Sequence, residues 1–276
     1  MRAGKATSEN NRPIISVITV CRNAELTLLQ TIKSMAAQTD RRFEYILVDG
    51  QSTDGTLKIV EAYGEHIDTW VSEADSGIYD AMNKGARLAK GEYLAFLNAD
   101  DRYFPDTIET VIKHIEQSNA AVYHGNMVKE RILQGKIYTR EERPTPEIMR
   151  HGMGIFHPSS FVNASLFRDM KGFDTRYRLA ADYDFFLRLW QSGASFHHID
   201  QALSVFSLAG VSNASCNTYA EAIKIQKRNK TGTAVSTIGL LWKCRSKRAL
   251  RKVTFGLADV LGLQGIVRSR QLKKWQ

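Results

Sequence analysis

The chain has 276 residues, 43% apolar and 24% charged, which is enough apolar material to bury a large core and excludes a wholly disordered chain. Its three cysteines, Cys21, Cys216 and Cys244, are odd in number, far apart and in no metal-ligand spacing, so they exclude a disulfide framework and a zinc site and point to a reducing, cytoplasmic compartment. The formal net charge of +9 is unevenly placed: residues 220–276 hold 14 Lys/Arg against 2 Asp/Glu, whereas the first 219 residues are slightly acidic.

Residues 1–13 are polar, lack the apolar core of a signal sequence and are expected to be a flexible N-terminus; no run of 18 apolar residues predicts a spanning helix. After Pro13 the β-branched run Ile14 to Val20 reads as a buried parallel strand. A helical pattern opens at Asn23-Ala24-Glu25, with Leu26, Leu29, Ile32, Met35 and Ala36 at helical spacing, and Phe43 to Val48 reads as a second strand. The β-α-β unit repeats, with a helix over Thr56 to Tyr63, a short strand over Asp68 to Ser72, a helix over Ile78 to Ala89 and a strand over Tyr93 to Leu97. Such alternation predicts an α/β fold with a mostly parallel sheet flanked by helices on both faces. A helix from Asp106 to about Gln117 is followed by a mixed region, with strands expected near Ala121 to Tyr123 and Ile132 to Tyr138. The expected division is a flexible N-terminus to 13, a domain over 14–218 split into two halves at 105/106, then a basic helical extension over 219–276.

Ligands of parallel sheets bind beyond the carboxyl ends of the strands, and here every such turn is polar: Cys21-Arg22-Asn23, Asp49 to Gly55, and Asn98-Ala99-Asp100-Asp101. The first turn has neither a dinucleotide-binding fingerprint nor a P-loop, which disfavours a dehydrogenase or a P-loop NTPase. The acids Asp100 and Asp101 suit a hard divalent cation, Mn²⁺ or Mg²⁺, bridging to a pyrophosphate, although Asp-Asp also serves as a helix cap. Asp49 could accept the N–H of a nucleobase; Ser52 and Asp54 fit turn and cap duty. Asp182 stands near the start of an apolar-rich helix, where the helix dipole alone accounts for a carboxylate and a general base is the functional alternative; Asp184 points from a different face. His157, in the polar island His157-Pro158-Ser159-Ser160, is read as a hydrogen-bonded structural residue or, with Asp184, as a neighbour of the acceptor or metal. His197-His198 carries a weaker signal, since neighbours along a strand point apart.

Taken in order, Ile15 to Asn23, VDGQSTDGT from Val48, SEADSGIYDAMNKGARLAKGEYLAFLNADD from Ser72, HPSSF from His157 and ADYDFFLRL from Ala181 resemble the inverting GT-A glycosyltransferases of family 2. Within that family the chain looks most like bacterial enzymes of capsule, exopolysaccharide, lipopolysaccharide and glycolipid synthesis, and the resemblance covers roughly residues 14 to 212. It implies a nucleotide-diphospho-sugar donor, with a UDP-sugar favoured over a GDP-sugar, and a saccharide or polyprenyl-linked acceptor. Asp49 matches the position that contacts the base, Asp100 the second acid of the family's DxD motif, and Asp182 the aspartate of its Glu-Asp catalytic pair. Two departures stand out, Asn98 at the first DxD position and Ala181 in place of the usual glutamate. Thr19, Asn23, Glu25, Asp75 and Tyr79 fall in stretches that line the donor site in such enzymes.

Beyond residue 235, Ile238, Leu240, Leu241, Trp242, Leu250, Val253 and Phe255 interleave with Lys243, Arg245, Lys247, Arg248, Arg251 and Lys252. This pattern suits either peripheral contact with an anionic membrane, at the inner face of the cytoplasmic membrane, or a basic helix packed on the catalytic domain. No nucleic-acid partner is expected, since no recognition signature is present and the charge is not spread over the fold. The competing readings are a metal-dependent nucleotidyltransferase, which should show a glycine- and basic-rich triphosphate loop near the first strand, and a non-catalytic module that binds anionic surfaces.

Overall fold

The computed structural model describes residues 12–133, 136–208 and 216–232. Nine strands form one mixed sheet in the order β3 (Thr69–Ser72), β2 (Phe43–Asp49), β1 (Ile15–Cys21), β4 (Tyr93–Phe96), β8 (Ser160–Asn163), β6 (Val122–Leu133), β9 (Phe196–Ser207), β5 (Arg102–Tyr103), with β7 (Lys136–Glu142) hydrogen-bonded to β6. Strands β1 (Ile15–Cys21), β2 (Phe43–Asp49), β3 (Thr69–Ser72) and β4 (Tyr93–Phe96) run parallel to one another. All seven residues of β1 are buried, as expected of a strand covered on both faces. Strand β8 (Ser160–Asn163) is antiparallel to both β4 and β6 (Val122–Leu133), and β6 is parallel to β9 (Phe196–Ser207). Consequently β1 to β4, β6 and β9 all end at the same rim. The short β5 (Arg102–Tyr103) pairs antiparallel with β9, and β7 (Lys136–Glu142) with β6.

Helices α1 (Leu28–Ala36), α2 (Thr56–Ala62) and α4 (Thr107–Gln117) bury Leu28, Ile32, Val60, Ile108 and Ile112 against one face of the sheet. The other face is covered by α3 (Ile78–Leu88), α5 (Ala164–Asp169), α6 (Ala181–Gln191) and α7 (Cys216–Arg228), through Met82, Phe167, Phe185 and Ile225. Helix α3 lies so close to β1 that a Cβ on Gly85 would meet Ile18 Cγ2 at 2.4 Å. Only glycine permits that approach, which brings the start of α3 down to the rim. No described helix is long and apolar enough to cross a membrane.

Three boundaries differ from the sequence expectation. Helix α1 starts at Leu28 because residues 23–25 are held by the next loop: the amides of Asn23, Ala24 and Glu25 donate to Ser52 Oγ, Thr56 Oγ1 and Asp54. The two short strands expected around 121–123 and 132–138 are one twelve-residue strand followed by a hairpin return. The expected division at 218/219 falls inside α7, where Glu221 accepts the backbone amides of Arg178, Leu179 and Ala180 and so ties that helix to the catalytic domain. The apolar and basic residues of 235–276, expected to meet an anionic membrane or to pack on the catalytic domain, lie outside the described residues, as do residues 1–11.

Candidate active site

The rim holds two acidic sites. At the first, β4 ends in Asn98-Ala99-Asp100-Asp101. Burial raises the Asp100 carboxyl above its usual range, and among the described residues no cation pairs with it. The Asn98 amide donates to Asp101 Oδ2 at 3.2 Å, which leaves Asn98 Oδ1 buried without a hydrogen-bond partner. A buried acceptor without a donor is costly unless something else binds it. One carboxylate and one free amide oxygen are hard ligands that fit Mn²⁺ or Mg²⁺, and a cation there would reverse the electrostatic cost of burying Asp100. Among the described residues no three His, Cys, Asp or Glu side chains gather to hold a metal, so such an ion would rely on water and ligand oxygens for the rest of its shell.

Asp101, expected beside Asp100 as a metal ligand, is 1% exposed and turned inward. Its Oδ1 accepts the amide of Ser207 at 3.0 Å and its Oδ2 the Asn98 amide, so it staples the β4 loop to the end of β9. Burial, with the neighbouring Asp100 charge, pushes its carboxyl well above the usual range. The first helical turn that an Asp-Asp cap would serve starts only at Thr107.

The second site lies at the start of α6. Asp182 Oδ1 accepts the Tyr79 hydroxyl at 2.9 Å, and Oδ2 lies 3.6 Å from His157 Nδ1. Burial would raise this carboxyl, but the nearby His157 and hydrogen bonds from Tyr79 and the Tyr183 amide outweigh it and hold Asp182 below the ordinary carboxylate range. Its side chain keeps 23% exposure, so the anion remains open to a reactant. The Tyr79 hydroxyl is pushed the other way, well above its usual value, by burial and by the adjacent carboxylate; it stays a donor. His157 is fixed by aromatic contacts, stacked on Phe173 at 5.5 Å and edge-on to Phe96, also at 5.5 Å. Phe96 is the last residue of β4, two before Asn98, and so both acidic sites open at one end of the molecule. Ala181 is fully buried, so no second carboxylate stands beside Asp182 from that position.

The other expected residues fall into two groups. Asp75 belongs to the rim: Oδ1 accepts the Gly77 amide, while Oδ2 lies across Gly50, where a Cβ would meet it at 2.2 Å, with Arg22 alongside. Asn23 and Glu25 knit loops together instead. Asn23, at φ 51°, accepts the Thr53 amide, and Glu25 accepts the Gly55 amide at 2.7 Å. Thr19 is wholly buried within β1, which closes it to a donor. Asp49 is also fully buried, its oxygens taken by the hydroxyls of Ser52 and Ser72 and the Ser52 amide; a base contact would require one of these bonds to open. Asp184, expected near the acceptor or metal, faces the core. It pairs with Arg188 Nε at 2.8 Å, and that guanidinium also donates to Met170 O and Gly172 O behind α5.

Sequence reasoning missed the Asp182 partnership, because Tyr79 and His157 stand 103 and 25 positions away and no local pattern joins them. It also missed Thr175, Tyr177 and Arg178, which wall a small recess beside Tyr79 and Asp80.

The family model "Glycosyl transferase family 2" matches residues 16–171, more than half of the chain, and the chain belongs to that family. It is a glycosyltransferase with a mixed α/β GT-A fold, and the nucleotidyltransferase and non-catalytic readings fall with that assignment. Among curated proteins it is 29% identical over 202 residues to EpsE of Bacillus subtilis (strain 168), named as a glycosyltransferase, covering 70% of this chain and 73% of the relative. It is 32% identical over 187 residues to the PGL/p-HBAD biosynthesis glycosyltransferase of Mycobacterium bovis (BCG), covering 66% and 72%. Among solved structures, residues 1–349 of TarS from S. aureus, in complex with UDP-GlcNAc, superpose with a TM-score of 0.64 at 19% identity over 84% of this chain and 71% of that one. A mannosyltransferase from Pyrobaculum calidifontis, in complex with GDP-Man and Mn²⁺, gives 0.60 at 17% identity over 92% and 82%.

Proposed function

We propose that this glycosyltransferase moves a sugar, with inversion, from a nucleoside-diphosphate sugar to a hydroxyl of a saccharide or lipid-linked acceptor, with Asp182 as the general base. The observation that carries this reading is the ionised, partly exposed Asp182, held by Tyr79 and His157 at the same end of the fold as Asp100. Inversion requires the base and the leaving group on opposite sides of the anomeric carbon, and two separated acidic sites fit that demand. Asp182 accepts the proton of the incoming hydroxyl. Its low proton affinity makes it a weak base, so the proton moves late, once the attacking oxygen has begun to bond and become acidic. Tyr79 and His157 keep the carboxylate oriented and charged until that transfer.

Asn98 and Asp100 would hold the divalent ion, Mn²⁺ or Mg²⁺, which supplies charge neutralisation at the departing diphosphate. Asp75 and Arg22 border the donor's path along the rim. The ligands named for the TarS and mannosyltransferase structures support a nucleotide-sugar donor, and a UDP-sugar is the first to test. The name of the mycobacterial relative supports a glycolipid acceptor, for which a cytoplasmic enzyme peripheral to the membrane would be suited. Incubation with UDP- and GDP-sugars, Mn²⁺ and candidate acceptors should release the nucleoside diphosphate only when metal and acceptor are both present. Release from nucleoside triphosphates with formation of pyrophosphate, and none from any sugar nucleotide, would refute the reading.

A further inference from the structure

Strand β6 outruns the sheet that supports it. Its pairing with β8 ends at His124 and its pairing with β9 ends at Glu130, while its pairing with β7 continues to Leu133. Past Glu130, therefore, β6 and β7 form a two-stranded ribbon that rises from the rim carrying Asn98 and Asp100. The base of the ribbon is fixed to that rim by the Arg102–Glu130 ion pair and by Ser207, which pairs with Glu130 and donates its amide to Asp101.

The ribbon's end has an unusual surface. Ile132 and Ile137 are direct cross-strand partners, 66% and 63% exposed. A pair of β-branched side chains on one face of a free ribbon has nothing of this chain's described residues to bury against, and paired exposure marks a contact surface more than single exposed residues do. Arg131 and Lys136, each next to one of these isoleucines along its strand, project from the opposite face of the ribbon, and neither makes an ion pair among the described residues. The ribbon's acids all lie lower and are already matched: Glu130 with Arg102, Glu142 with Lys129 and Arg140, and Glu141 with the Asn126 amide. The end of the ribbon thus presents an apolar pair on one face and uncompensated positive charge on the other.

We infer that this tip is a docking element that enters an anionic phospholipid surface end-on, with Ile132 and Ile137 on one face of the ribbon reaching the acyl boundary and Arg131 and Lys136 on the other reaching up to the headgroups. Apolar insertion and electrostatic attraction together give interfacial binding that neither supplies alone. A protein partner would call for shaped pockets or a polar rim around the anchors; a fluid anionic surface needs only the apolar pair and its cations. Docking this way would lay the rim, with both acidic sites, toward the bilayer. The inference holds whether or not Asp182 is the base.

The test places a fluorophore sensitive to polarity at Ile132→Cys, in a chain with Cys216→Ser and Cys244→Ser, and adds vesicles of phosphatidylglycerol with phosphatidylcholine. The expected result is a blue shift that brominated acyl chains quench and that vesicles of phosphatidylcholine alone fail to give. In the otherwise unaltered chain, Ile132→Asp with Ile137→Asp should reduce partitioning onto the anionic vesicles by about fivefold or more, with an unchanged thermal midpoint. A smaller reduction, or a fluorophore indifferent to vesicles, overturns the inference. So does a blue shift that appears without lipid and grows with protein concentration, which would assign the tip to a second copy of this chain.

Discussion

Asp182 owes its charge to neighbours that approach it from α3 and from the turn before β8, and this makes the proton affinity of the proposed base a property of tertiary structure. Tyr79→Phe removes the hydroxyl donor while keeping the ring that packs on Phe173 at 5.3 Å. A hydrogen bond to a charged group contributes about 1.5–3 kcal/mol, so kcat should fall by roughly tenfold to a hundredfold. Without that donor the carboxyl titrates higher, and the acid limb of the pH–rate profile should move to higher pH; an unmoved limb would show that the phenol does not tune Asp182. At this scale the sequence revealed which carboxylates to suspect but not which way they face. Asp100 and Asp101 are adjacent and chemically alike, yet one remains at the rim and the other is consumed by the Ser207 amide, 106 positions away. No local pattern encodes that choice.

Among the elements, α6 illustrates how two acids two residues apart divide their work. Asp182 looks toward the rim, while Asp184, 1% exposed, pairs with Arg188 one turn later and through it closes the end of α5. Asp184→Ala would leave that guanidinium with carbonyl partners alone, which should cost about 3 kcal/mol of stability by urea titration while kcat of the folded protein stays near the parent's. A loss of kcat without a loss of stability would instead return Asp184 to the reaction. The β6–β9 pairing carries a second test. His124, 1% exposed and stacked on His198 at 5.3 Å, has its pKa pushed down from 6.5 to about 4 by burial and by its histidine neighbours. Between those two values the unfolded chain binds the proton and the folded chain refuses it. Stability should therefore be insensitive to this group above about pH 6.5 and decline on acidification toward pH 4, by up to about 3 kcal/mol. His124→Gln should flatten that slope in urea titrations at pH 7 and pH 4.5; an equally steep decline would place its origin elsewhere.

For the whole molecule, the parallel β-α-β half was legible because burial on both faces and helical spacing leave direct marks on residue order. The second half was less so: β6 reads as short apolar pairs broken by the polar runs His124-Gly125-Asn126 and Lys129-Glu130-Arg131, and it changes partners from β8 to β7 along its length, so its twelve residues read as fragments. The loop contacts that delay α1 to Leu28 depend on side chains from the following β-α turn, which period counting does not register. What the fold adds is convergence, bringing the ends of β4 and α6 to one rim although Asp100 and Asp182 are 82 positions apart in sequence. The account rests on those two acids doing different work there. Its most direct test measures transfer and donor affinity together in Asp182→Asn: kcat should fall by at least about a thousandfold, as expected for a lost general base, with the Kd for the nucleotide-sugar and Mn²⁺ within a fewfold of the parent. Turnover close to the parent's, or loss of donor binding in step with turnover, would contradict it.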